Sequence, residues 1–207
     1  MNITREVNRL FPTIVEIYDN VLEDEYIDSM TNDIIRSSKE VGRKENWQSE
    51  HNPNLHEHLK YKALGNKVLE LGKVYLDNLK YEYEEMYITG MWSNILKPGE
   101  THSPHTHSNN LLSGVFYLQS NDNSPAITFI DPRPQASVLQ PQQTEYTKDN
   151  GTLYFYPAKV NRMVLFPSWL QHYVPKNNSN ENRISIAFNV MLKGRVGRPS
   201  NFQTNKF

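Results

Sequence analysis

The chain has 207 residues, a formal net charge of −1 and 37% hydrophobic residues, which suits one globular domain and leaves no broad basic surface for nucleic acid. It contains no cysteine, which excludes disulfides, thiolate metal sites and cysteine nucleophiles and fits a reducing, cytoplasmic setting. A mean hydropathy of −0.69 with no long apolar run excludes a membrane-spanning helix, and no apolar stretch follows the first five residues as a secretory signal would require.

In chain order, residues 11–18 (FPTIVEIY) are β-branched and aromatic and read as an early strand. Asp19 and Asn20 offer helix caps, and Leu22, Tyr26, Met30 and Ile34 follow at four-residue spacing, predicting a first helix. The polar stretch 37–52 reads as a loop. A second helix is predicted over 56–79, where Leu64, Val68, Leu71, Tyr75 and Leu79 form one apolar stripe to lay against a sheet. From residue 83 the texture changes. Short β-prone runs at 86–96, 111–119, 126–130, 152–156, 163–166, 172–174 and 184–191 are separated by Pro, Gly, Asn and Asp. Seven or eight such strands predict a mainly β fold, a sandwich or jelly roll, buttressed on one outer face by the two N-terminal helices. The longest stretch without periodicity, 131–150, reads as a lid or binding loop, with disorder as the alternative. The tail 193–207 carries Lys193, Arg195, Arg198 and Lys206 and no acid, and reads as solvated or partner-contacting. No repeat or linker divides the chain, so one domain is expected over 1–207: a strand and helices at 1–82, a β core at 83–192 and the basic tail.

Three of the seven histidines fall within six residues, His102, His105 and His107. On extended backbone, residues i and i+2 point to the same side, so His105 and His107 can present two imidazoles to one metal ion. Histidines in a surface loop without a metal are the competing reading. A third ligand has to come from elsewhere, and His172, 65 residues further on at the head of a predicted strand, is the candidate. A packed core histidine would look the same there. Arg183, eleven residues after His172, opens the strand 183–189. If the two residues head neighbouring strands, they reach the same end of the fold. An arginine among apolar neighbours needs an anion, and its planar fork suits a carboxylate. Ser185 shares its face and can add a hydroxyl. An ion pair with an acid of the chain is the alternative.

The order His105-Thr-His107, a strand, a distal histidine, then Arg183-Ile-Ser185 resembles the iron(II)/2-oxoglutarate dioxygenases. More narrowly, LSGVFYL at 112–118, DPR at 131–133 and LFPSWLQHYVP at 165–175 are similar to a small stand-alone group met in bacteria and their phages. The resemblance covers about residues 91–190. It implies a double-stranded β-helix of the jelly-roll or cupin kind, with iron(II) on His105, His107 and His172 and 2-oxoglutarate as co-substrate. Arg183, Ser185 and Tyr117 would hold the distal carboxylate, and Asn94 would touch the co-substrate's other end. As an ordinary strand aromatic, Tyr117 would need no such role. The usual loop carboxylate of the family is replaced by His107, and a site of three histidines also suits zinc. The implied activity is hydroxylation of a peptide side chain or a small molecule, with release of succinate and carbon dioxide, in the cytoplasm (the host's, if phage-encoded). Two rivals remain: a three-histidine cupin dioxygenase without 2-oxoglutarate, and a metal-stabilised binding or virion-associated module that is not an enzyme.

Overall fold

A computed structural model describes residues 3–40, 47–48, 53–197 and 204–207. The elements are β1 (Glu16–Asp19), α1 (Asp24–Glu40), β2 (Trp47–Gln48), α2 (Lys62–Asn78), β3 (Glu85–Leu96), β4 (His102–His105), β5 (Leu112–Gln119), β6 (Ile127–Ile130), β7 (Leu153–Tyr156), β8 (Arg162–Pro167), β9 (His172–Val174), β10 (Arg183–Lys193), β11 (Arg195–Val196) and β12 (Asn205–Lys206). A six-stranded sheet runs β1-β8-β5-β10-β3-β2 and a four-stranded sheet runs β4-β9-β6-β7; β11 and β12 form a separate ribbon within the basic tail. All the strand pairings are antiparallel. Each sheet skips across the sequence, which is the jelly-roll arrangement of a double-stranded β-helix.

Period-two alternation gives the larger sheet two different faces. Its outer face carries Met91 and Ile95 of β3, Leu112, Phe116 and Leu118 of β5, Met163 and Leu165 of β8, and Ile184, Ile186, Phe188 and Val190 of β10. The helices cover this face with Ile27, Met30 and Ile34 from α1 and Leu64, Val68, Tyr75 and Leu76 from α2. The inner face packs Val115, Tyr117, Val164 and Phe166 against Ile127 and Phe129 of the smaller sheet. Further along its strands the inner face turns polar, and the functional residues lie there. No helix among the described residues is long and apolar enough to cross a membrane.

Several boundaries differ from the sequence reading. The first strand covers Glu16–Asp19 alone, because Phe11 takes a positive φ of 56° and stands 93% exposed. The first helix starts at Asp24, with Asp24 and Glu25 at its positive end, so Leu22 precedes it and Tyr26 faces outward; Ile27 takes the buried place. It continues to Glu40, into the predicted loop, and a short strand follows at Trp47–Gln48; residues 41–46 and 49–52 of that loop lie outside the described set. The second helix begins at Lys62, since residues 55–61 before it hold two 3-10 turns, Leu55–Glu57 and Leu59–Tyr61.

Gly114 lies opposite Phe188 on β10 and Leu165 on β8. A Cβ there would run into the Phe188 ring and lie 2.7 Å from the backbone carbonyl of Val164, which cannot swing away. Gly114→Ala is therefore expected to destabilise the fold by about 1–3 kcal/mol through overpacking. Urea unfolding checks this, and a midpoint equal to the wild type would contradict it.

Candidate metal centre

Two of the three histidines meet because β4 and β9 are neighbours. His105, the last residue of β4, pairs directly with His172, the first of β9, and their rings lie 4.4 Å apart between centroids. The predicted i, i+2 alternation does not carry His107, which falls just after β4 on the connection to β5. It still arrives at the same point, its ring 5.1 Å from His105 and 5.2 Å from His172. One ring nitrogen from each of the three lies within 4.8 Å of the others, and this is the one histidine or carboxylate trio among the described residues that could hold a metal ion.

The tautomers favour metal binding. His105 Nδ1 lies 2.8 Å from the carbonyl of Ser103, and His172 Nδ1 lies 2.9 Å from the carbonyl of Leu170. A carbonyl can only accept, so both Nδ1 atoms carry a proton, and Nε2 is the nitrogen each ring can offer a metal. Burial, aided by the neighbouring imidazoles, pushes the pKa of His107 and of His172 down to about 4, so both stay neutral at pH 7. His172 is 4% exposed and His105 is exposed, so the cluster runs from the core to the mouth of the cavity.

That cavity, of about 510 Å³, also reaches Trp92, Asn94, His102, Arg183, Ser185 and Ala187. Ser185 on the central strand β10 is paired with Asn94 on one side and Tyr117 on the other, so register alone sets these three in one inward-facing row. Arg183, two residues back on the same face, is 2% exposed. Its guanidinium carbon lies 4.8 Å from the Tyr117 ring centre and Nη1 lies 3.4 Å from Ser185 Oγ. No acid of the described residues pairs with it. Arg183 Nε, the Tyr117 hydroxyl and Asn94 Oδ1 are all buried without a hydrogen-bond partner. Burial raises the Tyr117 pKa against the pull of Arg183, so the phenol keeps its proton and can donate it.

A buried guanidinium without an anion is costly, and unpaired polar atoms beside it add to the cost. A carboxylate placed here would accept from Arg183, Ser185 and Tyr117 together. The residues present thus fit both groups: three imidazole nitrogens for a divalent metal, and a donor cluster in the same cavity for a carboxylate.

His102, given no role from sequence, lines this cavity on β4, its pKa lowered to about 4 by burial and then by Arg183. Trp92 went unnoticed as well, although it stands two residues before Asn94 on the same face of β3, with its ring 6.0 Å from His107.

Residues 90–189 match the family model described as "Putative 2OG-Fe(II) oxygenase". No curated protein matches the sequence. The fold is similar to that of a prolyl-4-hydroxylase from Pseudomonas putida, with a TM-score of 0.61 and 13% identity over 88% of this chain and 89% of that one. HygX from Streptomyces hygroscopicus, solved with nickel and 2-oxoglutarate bound, matches with a TM-score of 0.61 and 13% identity over 87% and 83%. The viral collagen prolyl hydroxylase of Paramecium Bursaria Chlorella virus-1, a 2-oxoglutarate complex, matches with a TM-score of 0.55 and 14% identity over 85% and 94%. At these identities the likeness is one of fold.

Three of the four histidines that burial lowers, those lining the cavity, define a pH window. An unfolded histidine protonates near pH 6.5, whereas His102, His107 and His172 in the fold hold off until about 4. Between those values the unfolded chain binds more protons, so stability present above pH 6.5 is lost as pH falls toward 4. Asp19, held below the usual range by Arg162, adds its loss only at lower pH. The metal-free protein should therefore have a lower urea midpoint at pH 5 than at pH 7, and an equal or higher one would contradict these shifts.

Proposed function

We propose that the chain is a 2-oxoglutarate/iron(II) oxygenase through its residues 90–189, in which His105, His107 and His172 ligate the iron while Arg183, Ser185 and Tyr117 hold the distal carboxylate of 2-oxoglutarate. The observation that carries the reading is the sealed Arg183, with no acid of the described residues beside it, in the same cavity as the histidine trio. Iron(II) with dioxygen and 2-oxoglutarate supplies the oxidant for a C–H bond, and the co-substrate leaves as succinate and carbon dioxide.

The protein's own residues do the rest. The three imidazoles would hold the metal, each through one ring nitrogen. Arg183 fixes the remote end of the co-substrate by a charge-assisted contact, Ser185 and Tyr117 add hydroxyl donors, and Asn94 lies across β10 from Tyr117 to meet the keto-acid end. This orients the co-substrate before the substrate enters and keeps water from its carboxylate. Ala187, the small residue between Trp92 and Val115 in the next row, leaves room over the metal. The substrate is a peptide side chain or a small molecule, hydroxylated at a C–H group held at the open side beside exposed His105.

We also propose the segment 131–150 as a substrate-contacting lid, although its ends line a second cavity, with Asn8 to Val15, and not the one that holds the histidines. It starts two residues past Phe129, which pairs with His172, and has no strand of its own. Val138 and Leu139 on it are more than four-fifths exposed. Arg133 grips Asp131 at its start and Arg9 grips Asp149 at its end, which ties the loop to the N-terminal segment. A three-histidine dioxygenase without 2-oxoglutarate would have no use for the unpaired donors around Arg183, so that reading is disfavoured.

Two substitutions test the assignment. Arg183→Ala removes a sheltered contact whose loss typically costs about 2–5 kcal/mol, so 2-oxoglutarate affinity should fall ~30-fold or more. Iron affinity should be nearly unchanged, and Arg183→Lys should restore only part of the loss, since a point charge cannot copy the fork. Anaerobic calorimetry with the iron(II) protein reads both constants; wild-type 2-oxoglutarate affinity in Arg183→Ala would sink the carboxylate site. His172→Ala should abolish stoichiometric iron uptake while the fold persists, and iron retained at one equivalent would remove His172 from the ligand set.

A further inference from the structure

Of the three imidazoles, His107 is the one that no strand holds. His105 closes β4 and His172 opens β9, whereas His107 lies on the connection 106–111 between β4 and β5. That connection is tied near both ends to a single residue. The His107 N–H donates to the Ser168 carbonyl at 2.9 Å, and the Ser168 N–H donates to the Leu111 carbonyl at 3.0 Å.

Ser168 sits in the turn between β8 and β9 and is 0% exposed. Its hydroxyl lies 2.8 Å from the hydroxyl of Ser113, which is 1% exposed, and Ser113 donates to Asn189 Oδ1 at 2.7 Å. A hydroxyl carries one proton, and that of Ser113 is committed to Asn189, so Ser168 is the donor to Ser113. The chain Ser168 to Ser113 to Asn189 is therefore directional. It ends in the middle of the larger sheet, because Ser113 on β5 and Asn189 on β10 are register partners. None of the three touches the metal or co-substrate in the reading above. Three polar side chains buried side by side are expensive unless each is satisfied, and a satisfied chain of this kind rigidifies what it is attached to. What it is attached to is the carbonyl that holds His107.

We infer that Ser168, Ser113 and Asn189 form a strut that fixes His107 in its ligating position, which makes them positioning residues of the metal centre. The inference rests on His107 being a ligand. With the side chain of Ser168 locked to the sheet, its carbonyl is fixed, the His107 backbone is fixed by that carbonyl, and the imidazole is aimed at the other two. Without the strut the 106–111 connection is free to swing, and iron loses one of three ligands for part of the time.

The experiment uses the whole protein and two readouts. The first, in metal-free protein, is hydrogen exchange at the His107 amide. The second is the iron(II) dissociation constant by anaerobic chelator competition. Ser113→Ala and Asn189→Leu should both speed exchange at His107 and weaken iron binding by about tenfold or more, the usual scale for residues that orient ligands. Asn189→Asp keeps an oxygen acceptor for Ser113 and should stay close to wild type in both. Tyr75→Phe is the control for general destabilisation: it removes the bond from a buried hydroxyl on α2 to the Ile14 carbonyl, on the far side of the larger sheet, and should move neither readout. Wild-type His107 protection and iron affinity in both Ser113→Ala and Asn189→Leu would overturn the strut and leave the proposed function standing. Faster exchange in Ser113→Ala, in a protein whose wild type takes up no iron, would overturn the inference through the ligand assignment instead.

Discussion

The guanidinium of Arg183 is almost wholly withdrawn from water, and no acid of the described residues is set against it. Folding alone does not account for such an arrangement. A chain that needed only a stable core would place a leucine or a paired ion there, since an unpaired buried charge is among the most costly features a fold can carry. The proposed carboxylate would offset that cost by filling the pocket. The rest of the site follows from this constraint. Ser185 accepts from the arginine, the Tyr117 ring lies against its guanidinium, Asn94 extends the row across β10, and apolar residues of both sheets pack beside them.

Charge also bears on a site built from three imidazoles. With iron(II) on the three histidines, as proposed, the metal and the Arg183 cation would together carry three positive charges in one cavity, and no ligand of the protein would offset them. The dianionic co-substrate removes two. A site with a carboxylate in place of His107 would be neutral once loaded, whereas this one stays at plus one. The metal should therefore be held more weakly without the co-substrate, and iron and 2-oxoglutarate should support each other's binding. Fixing Nδ1–H of His105 and His172 against backbone carbonyls meets part of this weakness, because pre-oriented ligands lose less freedom when the metal arrives.

Much of this was legible in the sequence, for identifiable reasons. The strands from residue 83 onward alternate strongly and are bounded by turn residues, so their positions were readable to within a residue or two. His172 and Arg183 head strands that are consecutive in the chain but not neighbours in space, since β9 and β10 lie in different sheets, and the two residues meet across one cavity instead. What could not be read was register. Nothing in the linear order says that His105 will stand directly across from His172, or that Asn94, Ser185 and Tyr117 will align across β3, β10 and β5. The strand at 102–105 was hidden because its histidines, serine and proline lack β-propensity; pairing with β9 makes it a strand. The first strand was read too long for the opposite reason, since residues 11–15 have the composition of a strand but no partner to pair with. Ser113 and Ser168 looked like ordinary members of apolar runs until their hydroxyls were found in contact.

The central claim is that one cavity binds iron through three histidines and, beside it, a carboxylate co-substrate gripped by Arg183. Anaerobic titration of the iron(II) protein with 2-oxoglutarate, followed by the visible metal-to-ligand charge-transfer absorption, tests this most directly, since the band arises only when the keto acid chelates the protein-bound metal. The account predicts a band that saturates at one 2-oxoglutarate per iron. A wild-type protein that binds iron at one equivalent but develops no such band at saturating 2-oxoglutarate would contradict it.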